Sequence, residues 1–562
     1  MSSELDVRPG TDRAGRRAGA AAEGRGRGTP ASLTRRSSRC TLCPAGCEVQ
    51  AAGSGPDHWR GEPPNAAGAG LCPRGCCLPE LLTDRRRIVS PLRRQDGRLV
   101  ACDAAAACER IAAAARAGGI VIVLDGNLPV EEMLAAAAWC KAWPAAKLCL
   151  AIEPADRELL GGAEAGGAAY LAASELAACD GFLIVGDPFS ANPTCSRGIF
   201  ERRAANPRTP IVAIDPAGGA AAKFASLSVA CAPGGEADAL AAIAGGTGPA
   251  ARALADCKKL AVLVAAEFGS TTDLRAVGEL AGKVAASRGG GLAVQTVGAN
   301  ALAAVRIEQK LAALSLARAM GGEVPLVAVG CDVLGMLGWD EGRVLAAAAG
   351  LPNATTEAAE VVLPLALSGE VAGTFLLDGA KAVEVGVLLP PPAGVPVPSA
   401  LVAELARAAG VAAPAQRAAT GIALERAEAA PPSAKGAAAS ARADGPQLLL
   451  TRSAMHSGCG SLTGWGSWQA ASADLPELRV CPAVAGKLGI ENLQVVSVGA
   501  GGPAVRARVR VAPETPGGVA VLSDGFPQCR RAVACRLDGG RFVHAAAAAA
   551  IASEESRHAD AG

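Results

Sequence analysis

Histidine is nearly missing from this sequence: there are four in 562 residues, at 58, 456, 544 and 558. None lies between His58 and His456, so imidazole chemistry is absent from the middle of the chain. Aromatic residues make up only 3%, and the cores must therefore be built from Ala, Val and Leu. Charge of one sign is not in excess: 54 Lys and Arg against 53 Asp and Glu leave +1, so no global field draws the chain to nucleic acid or an anionic membrane. No run approaches the roughly 18 strongly apolar residues of a membrane helix, Ala545–Ala550 being short and weakly hydrophobic. Residues 1–39, rich in Arg, Gly and Ala, lack the apolar stretch of a secretory signal, although Arg16-Arg17 and Arg35-Arg36 are adjacent pairs. A cytoplasmic protein without direct membrane insertion is expected, with a disordered basic leader over 1–39.

Cysteine is abundant. An odd total of 19 without a secretory signal argues against a disulfide framework and for metal binding plus inert buried thiols. At roughly 150 residues per domain the length implies three or four domains. Residues 40–95 are rich in Cys, Gly, Pro and Arg with little periodicity, as in a small domain folded around a metal. From 96 to 390, Ala-rich helical stretches (Cys102–Ala117, Glu131–Trp143) alternate with β-branched runs. The strand candidates are Ile120–Leu124, Gly181–Val185, Pro210–Ile214, Leu260–Val264 and Pro325–Val329. That alternation predicts two doubly wound, parallel-sheet α/β blocks with a boundary near 247. A helix near Ala400–Ala409 and a Pro/Ala-rich linker fill 391–445. Val-rich runs then predict a β-barrel over 446–545, and a tail follows over 546–562.

The most specific motif is Cys40-x2-Cys43-x3-Cys47-x24-Cys72. Three thiolates on one loop and a distant fourth can surround a 4Fe-4S cluster, each corner of which takes a soft anionic ligand. Zinc is the rival, although it more often sits on two CxxC knuckles or mixed Cys/His pairs. Cys76 and Cys77 follow closely, but Cys72 has the better context.

Segments 38–47 (SRCTLCPAGC), 70–75 (GLCPRG) and 87–93 (RIVSPLR) together resemble the N-terminal iron–sulfur domain of the molybdopterin oxidoreductase family. That family includes formate dehydrogenases, nitrate reductases and an iron–sulfur component of NADH-quinone oxidoreductase. The resemblance continues through 179–188 (CDGFLIVGDP), Asn192-Pro193, Ile214-Asp215-Pro216, 353–364 (NATTEAAEVVLP) and 369–375 (GEVAGTF). In the C-terminal part it rests on Thr451-Arg452, His456, 461–463, 486–490 and 506–511. It implies Cys40, Cys43, Cys47 and Cys72 as cluster ligands, and Arg74 as a cation on the electron path between cluster and pterin. It also implies Gly186, Asp187, Pro188, Asp215 and His456 as contacts of a molybdopterin guanine dinucleotide with molybdenum or tungsten, and a C-terminal barrel of the dinucleotide-binding type.

The pattern then fails where the family's metal ligand belongs. In the stretch 145–160, Cys149 is the one thiol, and it stands between Leu148 and Leu150 in what reads as a buried strand. Asp156 and Ser174 are formal alternatives. The loop 217–223 (AGGAAAK) lacks the Arg that follows Ile-Asp-Pro in many members. Three functions follow. The first is an iron–sulfur oxidoreductase subunit that passes electrons through one cluster to partner redox subunits. The second is an active molybdopterin enzyme acting on formate or a similar small substrate. The third is a non-redox structural subunit. The lack of any Cys-His pair favours the first.

Overall fold

The computed structural model describes residues 34–53, 59–62, 70–266, 273–339, 343–414, 421, 425–426, 445–472, 475–533, 535–538, 541–544 and 549–553. Strands β1 (Thr34–Arg39), β2 (Glu48–Gly53) and β3 (Trp59–Glu62) form a small antiparallel sheet, and helix α1 (Pro73–Leu82) packs on it. The expected leader thus ends in a strand, because β1 pairs with β2 along its whole length, from Thr34 with Gly53 to Arg39 with Glu48.

Two larger sheets make the α/β part. The first contains β4 (Leu92–Gln95), β5 (Arg98–Ala101), β6 (Ile120–Asp125) and β7 (Ala146–Ala151). The second contains β8 (Gly181–Val185), β9 (Ile211–Ile214), β10 (Leu227–Val229), β11 (Leu260–Ala265) and β12 (Gly291–Gln295), in the order β10-β9-β8-β11-β12, all parallel. The chain then returns to the first sheet with β13 (Leu326–Val329), β14 (Val344–Ala349) and β15 (Val361–Pro364), giving the order β5-β4-β15-β14-β13-β6-β7. No sheet boundary therefore falls near 247, where the sequence suggested one. The second sheet is an insertion between β7 and β13, and the two blocks are nested instead of consecutive. Strand count and period are local properties, whereas the partner of each parallel strand depends on where its crossover helix lays it.

The hairpin β16 (Gly373–Leu377) and β17 (Lys381–Val385) leads to the helix Pro398–Ala408, one residue from its expected end. Most of the expected linker lies outside the described residues. Strands β18 (Gln447–Thr451), β19 (Glu477–Val480), β20 (Val495–Gly499), β21 (Val505–Val511), β22 (Val519–Ser523) and, after the hairpin β23 (Cys535–Asp538) and β24 (Arg541–His544), β25 (Ala550–Ser553) complete the described strands. The six-stranded sheet has the order β18-β22-β19-β21-β20-β25 and mixes parallel with antiparallel pairs. β25 belongs to it although it lies beyond 545, where a tail was expected.

Caps and close packing fix the helices that matter for the site. Asp103 caps α2 (Ala104–Gly118) by accepting from the Ala106 amide at 3.1 Å, and Val130–Ala142 forms α3. α4 (Pro154–Gly166) starts on a proline, whose fixed φ suits a first turn, and stops at Gly167 in the left-handed conformation. It crosses the helix Leu274–Ser287 through glycines. A Cβ on Gly162 would lie 2.0 Å from Arg275 O, one on Gly278 2.2 Å from Leu159 O, and one on Gly282 2.9 Å from Gly166 Cα. An aromatic-poor core reaches native density by letting backbones touch. Gly278→Val is expected to cost at least the ~1–3 kcal/mol of ordinary overpacking, because backbone and not a pliable side chain must move, read as a lowered midpoint in chemical denaturation.

Candidate functional site

The four motif cysteines come from two places. Cys40 follows β1 and closes the first loop, its amide donating to Cys47 O at 2.8 Å. Gly46 in that loop has φ +54, and a Cβ there would meet Leu377 Cδ1 at 2.6 Å. Cys72 is the N-cap of α1, with Pro73 in the first turn. Cys40 and Cys43 are buried, and Cys47 and Cys72 are half-buried. Each of the six thiol pairs is close enough for charge on one sulfur to oppose charge on the other. Burial, reinforced by these neighbours, pushes Cys43 up to about 11 and Cys40 well above the thiol range. Arg74 pulls Cys43 back down. Among the described residues, no three His, Cys, Asp or Glu side chains are placed to hold a single metal ion. Four converging thiols and a cation are nonetheless a donor set suited to a larger group of soft metals, whose charge would relieve the mutual opposition.

Arg74 is 2% exposed in the first turn of α1. Its Nη2 donates to Ala191 O at 2.7 Å and its Nη1 to His456 O at 3.4 Å, while its buried Nε has no partner among the described residues. His456, 4% exposed, likewise keeps Nε2 unpartnered, and burial brings it down to about 4. Two expected site residues 382 positions apart thus meet beside Cys43. The segment that carries His456 runs as a strap across the molecule. Ser457 Oγ donates to Leu42 O at 3.2 Å, Trp465 Nε1 donates to Pro352 O at 3.0 Å, and Arg86 stacks 4.3 Å above the Trp465 ring.

Each α/β sheet has a point where the strand order reverses, between β6 and β13 in one and between β8 and β11 in the other. Ligands of open parallel sheets bind beyond the strand carboxyl ends at such points. At the second lie the expected dinucleotide contacts. Gly186 has φ +72, and a Cβ there would be 2.6 Å from Ala265 O. Asp187 and Pro188 open α5 (Pro188–Ala191), where Asp187 accepts from Ser190 Oγ at 2.6 Å. Asp215, after β9, accepts from the Ala217 and Gly219 amides at 2.8 and 2.5 Å, and burial and then the Asp187 carboxylate raise it. The C-terminal domain covers this loop. A Cβ on Gly218 would lie 2.2 Å from Glu514 O, Lys223 pairs with Glu514 at 2.7 Å, and Arg479 Nη1 donates to Gly218 O at 3.3 Å. The Ala217 and Gly219 amides and the Lys223 and Arg479 cations at this loop are thus engaged by the chain itself.

At the first reversal point a cleft of about 210 Å³ opens between Asp125, Glu153, Asp156, Asp332 and Ser457–Gly458. That is less than the roughly 300–1,000 Å³ of ordinary organic-ligand sites. Glu153 and Asp156 are held by arginines of the C-terminal domain, Arg530 and Arg452. Asp125 accepts from the Asn127 amide at 3.0 Å, and burial pushes it up to about 7. Cys149, 0% exposed in β7, packs among Val121, Val123 and Leu326 and does not line the cleft. Ser174 is exposed.

Neither a protein-family model nor a curated relative matches the chain. Solved structures do, among them acetylene hydratase from Pelobacter acetylenicus, with a TM-score of 0.65 and 12% identity over 92% of this chain and 100% of that one. The likeness is one of fold. It supports the molybdopterin-oxidoreductase-like architecture that the motifs imply, and it carries no statement about activity.

Sequence reasoning missed Asp125, Glu153, Asp332 and Arg530, and it took Arg452 only as part of the resemblance to a dinucleotide-binding barrel. A carboxylate at the end of a β-branched run was the available signal for Asp125; nothing local marks Arg530. His456 and Asp125 give opposite pH dependences. His456 stays neutral in the fold, so its contribution is present above about 6.5 and lost as pH falls toward 4. Asp125 stays protonated, so its contribution is lost as pH rises from about 4 through 7. Asp125→Asn is expected to leave stability unchanged at pH 3 and to raise it at pH 8 by up to about 4 kcal/mol, measured by urea unfolding at the two pH values.

Proposed function

We propose that this chain is an iron–sulfur electron-transfer subunit built on a molybdopterin-oxidoreductase-like fold. It passes single electrons between partner redox subunits through a 4Fe-4S cluster on Cys40, Cys43, Cys47 and Cys72. The observation that carries this reading is the convergence of four free thiols from two distant loops around one another, with the buried Arg74 beside Cys43. A cluster bound there supplies one-electron chemistry. The chain does the rest: the hydrogen bond from the Cys40 amide to Cys47 O fixes the loop, Cys72 is set as the N-cap of α1, and Arg74 supplies a fixed positive charge that favours the reduced state. Anaerobically purified protein is expected to be brown, with about four irons per chain and an electron paramagnetic resonance signal on reduction. Cys43→Ser should bleach it. Colourless protein containing zinc, or a Cys43→Ser protein with unchanged iron, sinks the proposal.

One observation favours a second reading, proton-transfer chemistry on a small substrate. Asp125, raised to about 7 at a strand-order reversal, is a carboxyl able to give or take a proton near neutral pH, and the structural neighbour is by name a hydratase. Turnover of a small unsaturated substrate that vanishes in Asp125→Asn while iron content stays constant would establish it.

A further inference from the structure

The resemblance places a molybdenum or tungsten ligand in the stretch 145–160, and the residues found there do not fit that role. Cys149 is inside the sheet, away from the cleft. Asp156 uses both oxygens, Oδ1 accepting from Arg452 Nη2 and Oδ2 from the Val297 amide at 2.7 Å. Glu153 receives Arg530 Nη1 on both oxygens at 3.0 and 2.9 Å. We infer that this chain holds no molybdenum or tungsten pterin, and that Arg452 and Arg530 close the metal position instead, as an interdomain lock.

Both guanidinium groups reach in from the C-terminal domain, and each spans two partners that otherwise have no covalent reason to meet. Arg452 follows β18, and its Nε donates to Ala266 O, just past β11, at 2.6 Å. It therefore ties the reversal point of the second sheet to the first turn of α4 in the first. Arg530 lies on the helix Pro527–Arg531 and is 1% exposed. Beyond Glu153 it donates to Asp524 through Nε and Nη2, the latter at 2.6 Å, and to Met336 O at 2.5 Å. The backbone around it leaves no slack: Gly338 has φ +62, and a Cβ there would be 2.5 Å from Arg530 C. The charge of each carboxylate is already balanced by a buried guanidinium, so a metal cation bound there in the arginine's place would require removing that arginine and parting the domains. The covered loop at Gly218 acts in the same direction from the other sheet.

The test uses the full-length protein, purified anaerobically from cells supplied with molybdate and tungstate in which an endogenous molybdopterin enzyme is shown to be loaded. Molybdenum and tungsten should be at trace level, and acid oxidation of the protein should release no fluorescent pterin. Stoichiometric metal or pterin overturns the inference. Iron measured in the same sample reports on the cluster separately, so failure of one proposal is not failure of the other. For the lock, Arg452→Met should speed proteolytic separation of the C-terminal domain by at least ~10-fold, since it strands Asp156. Arg452→Met/Asp156→Asn should recover most of that loss. A single variant cleaved at the native rate, or a double variant no better than the single, overturns the lock; the native metal content is read without any variant.

Discussion

Arg530 is a guanidinium taken almost wholly out of water, and the arrangement of the domains follows from the need to satisfy it. A buried charge is tolerable only with partners of opposite sign and full hydrogen bonding, and removing one partner of such a pair costs about 3–5 kcal/mol. Its partners come from three places: Glu153 at the start of α4, Asp524 after β22, and Met336 O in the helix Val333–Leu337. Arg452 imposes the same condition between Asp156 and Ala266 O. These contacts tie the six-stranded sheet to the α/β core at two points. The strap from Arg452 to Trp465 then carries His456 onto Arg74 and Ser457 onto the cysteine loop.

The two reversal points have taken different courses. In the second sheet, Asp187 and Asp215 answer backbone amides and a serine hydroxyl, and Glu514 and Arg479 press on the loop from outside. In the first, arginines neutralise Glu153 and Asp156, while Asp125 faces no such cation and accepts from the Asn127 amide, so burial prevails on it. The loop at the second reversal point is covered by the C-terminal domain, and the cleft at the first carries a titratable acid.

Scarcity of aromatics shaped the core in a way that composition foretold only in part. Small residues let α4 and the helix Leu274–Ser287 approach until glycine backbones touch, and the buried strands beside them are built mainly of Val, Leu, Ile and Ala.

Much was legible in the sequence. β6, β8, β9, β11 and β13 begin and end within a residue or two of the β-branched runs that announced them, because a strand buried on both faces must be apolar throughout, whereas β19 and β25 of the C-terminal sheet were not announced. Cysteine spacing marked the thiol cluster, because ligands on one loop must be close in sequence. Histidine scarcity excluded a Cys-His pair. Nesting of one sheet inside the other was not legible, since parallel pairing is decided by crossovers that bury faces against each other. Nor were the ion pairs of Arg452 and Arg530, whose partners Asp156 and Glu153 lie about 300 and 377 positions away. Local pattern marks many of the apolar strands and the closely spaced thiols and limits what imidazole can do, whereas the pairing of carboxylates depends on burial and on partners that no short stretch of chain encodes.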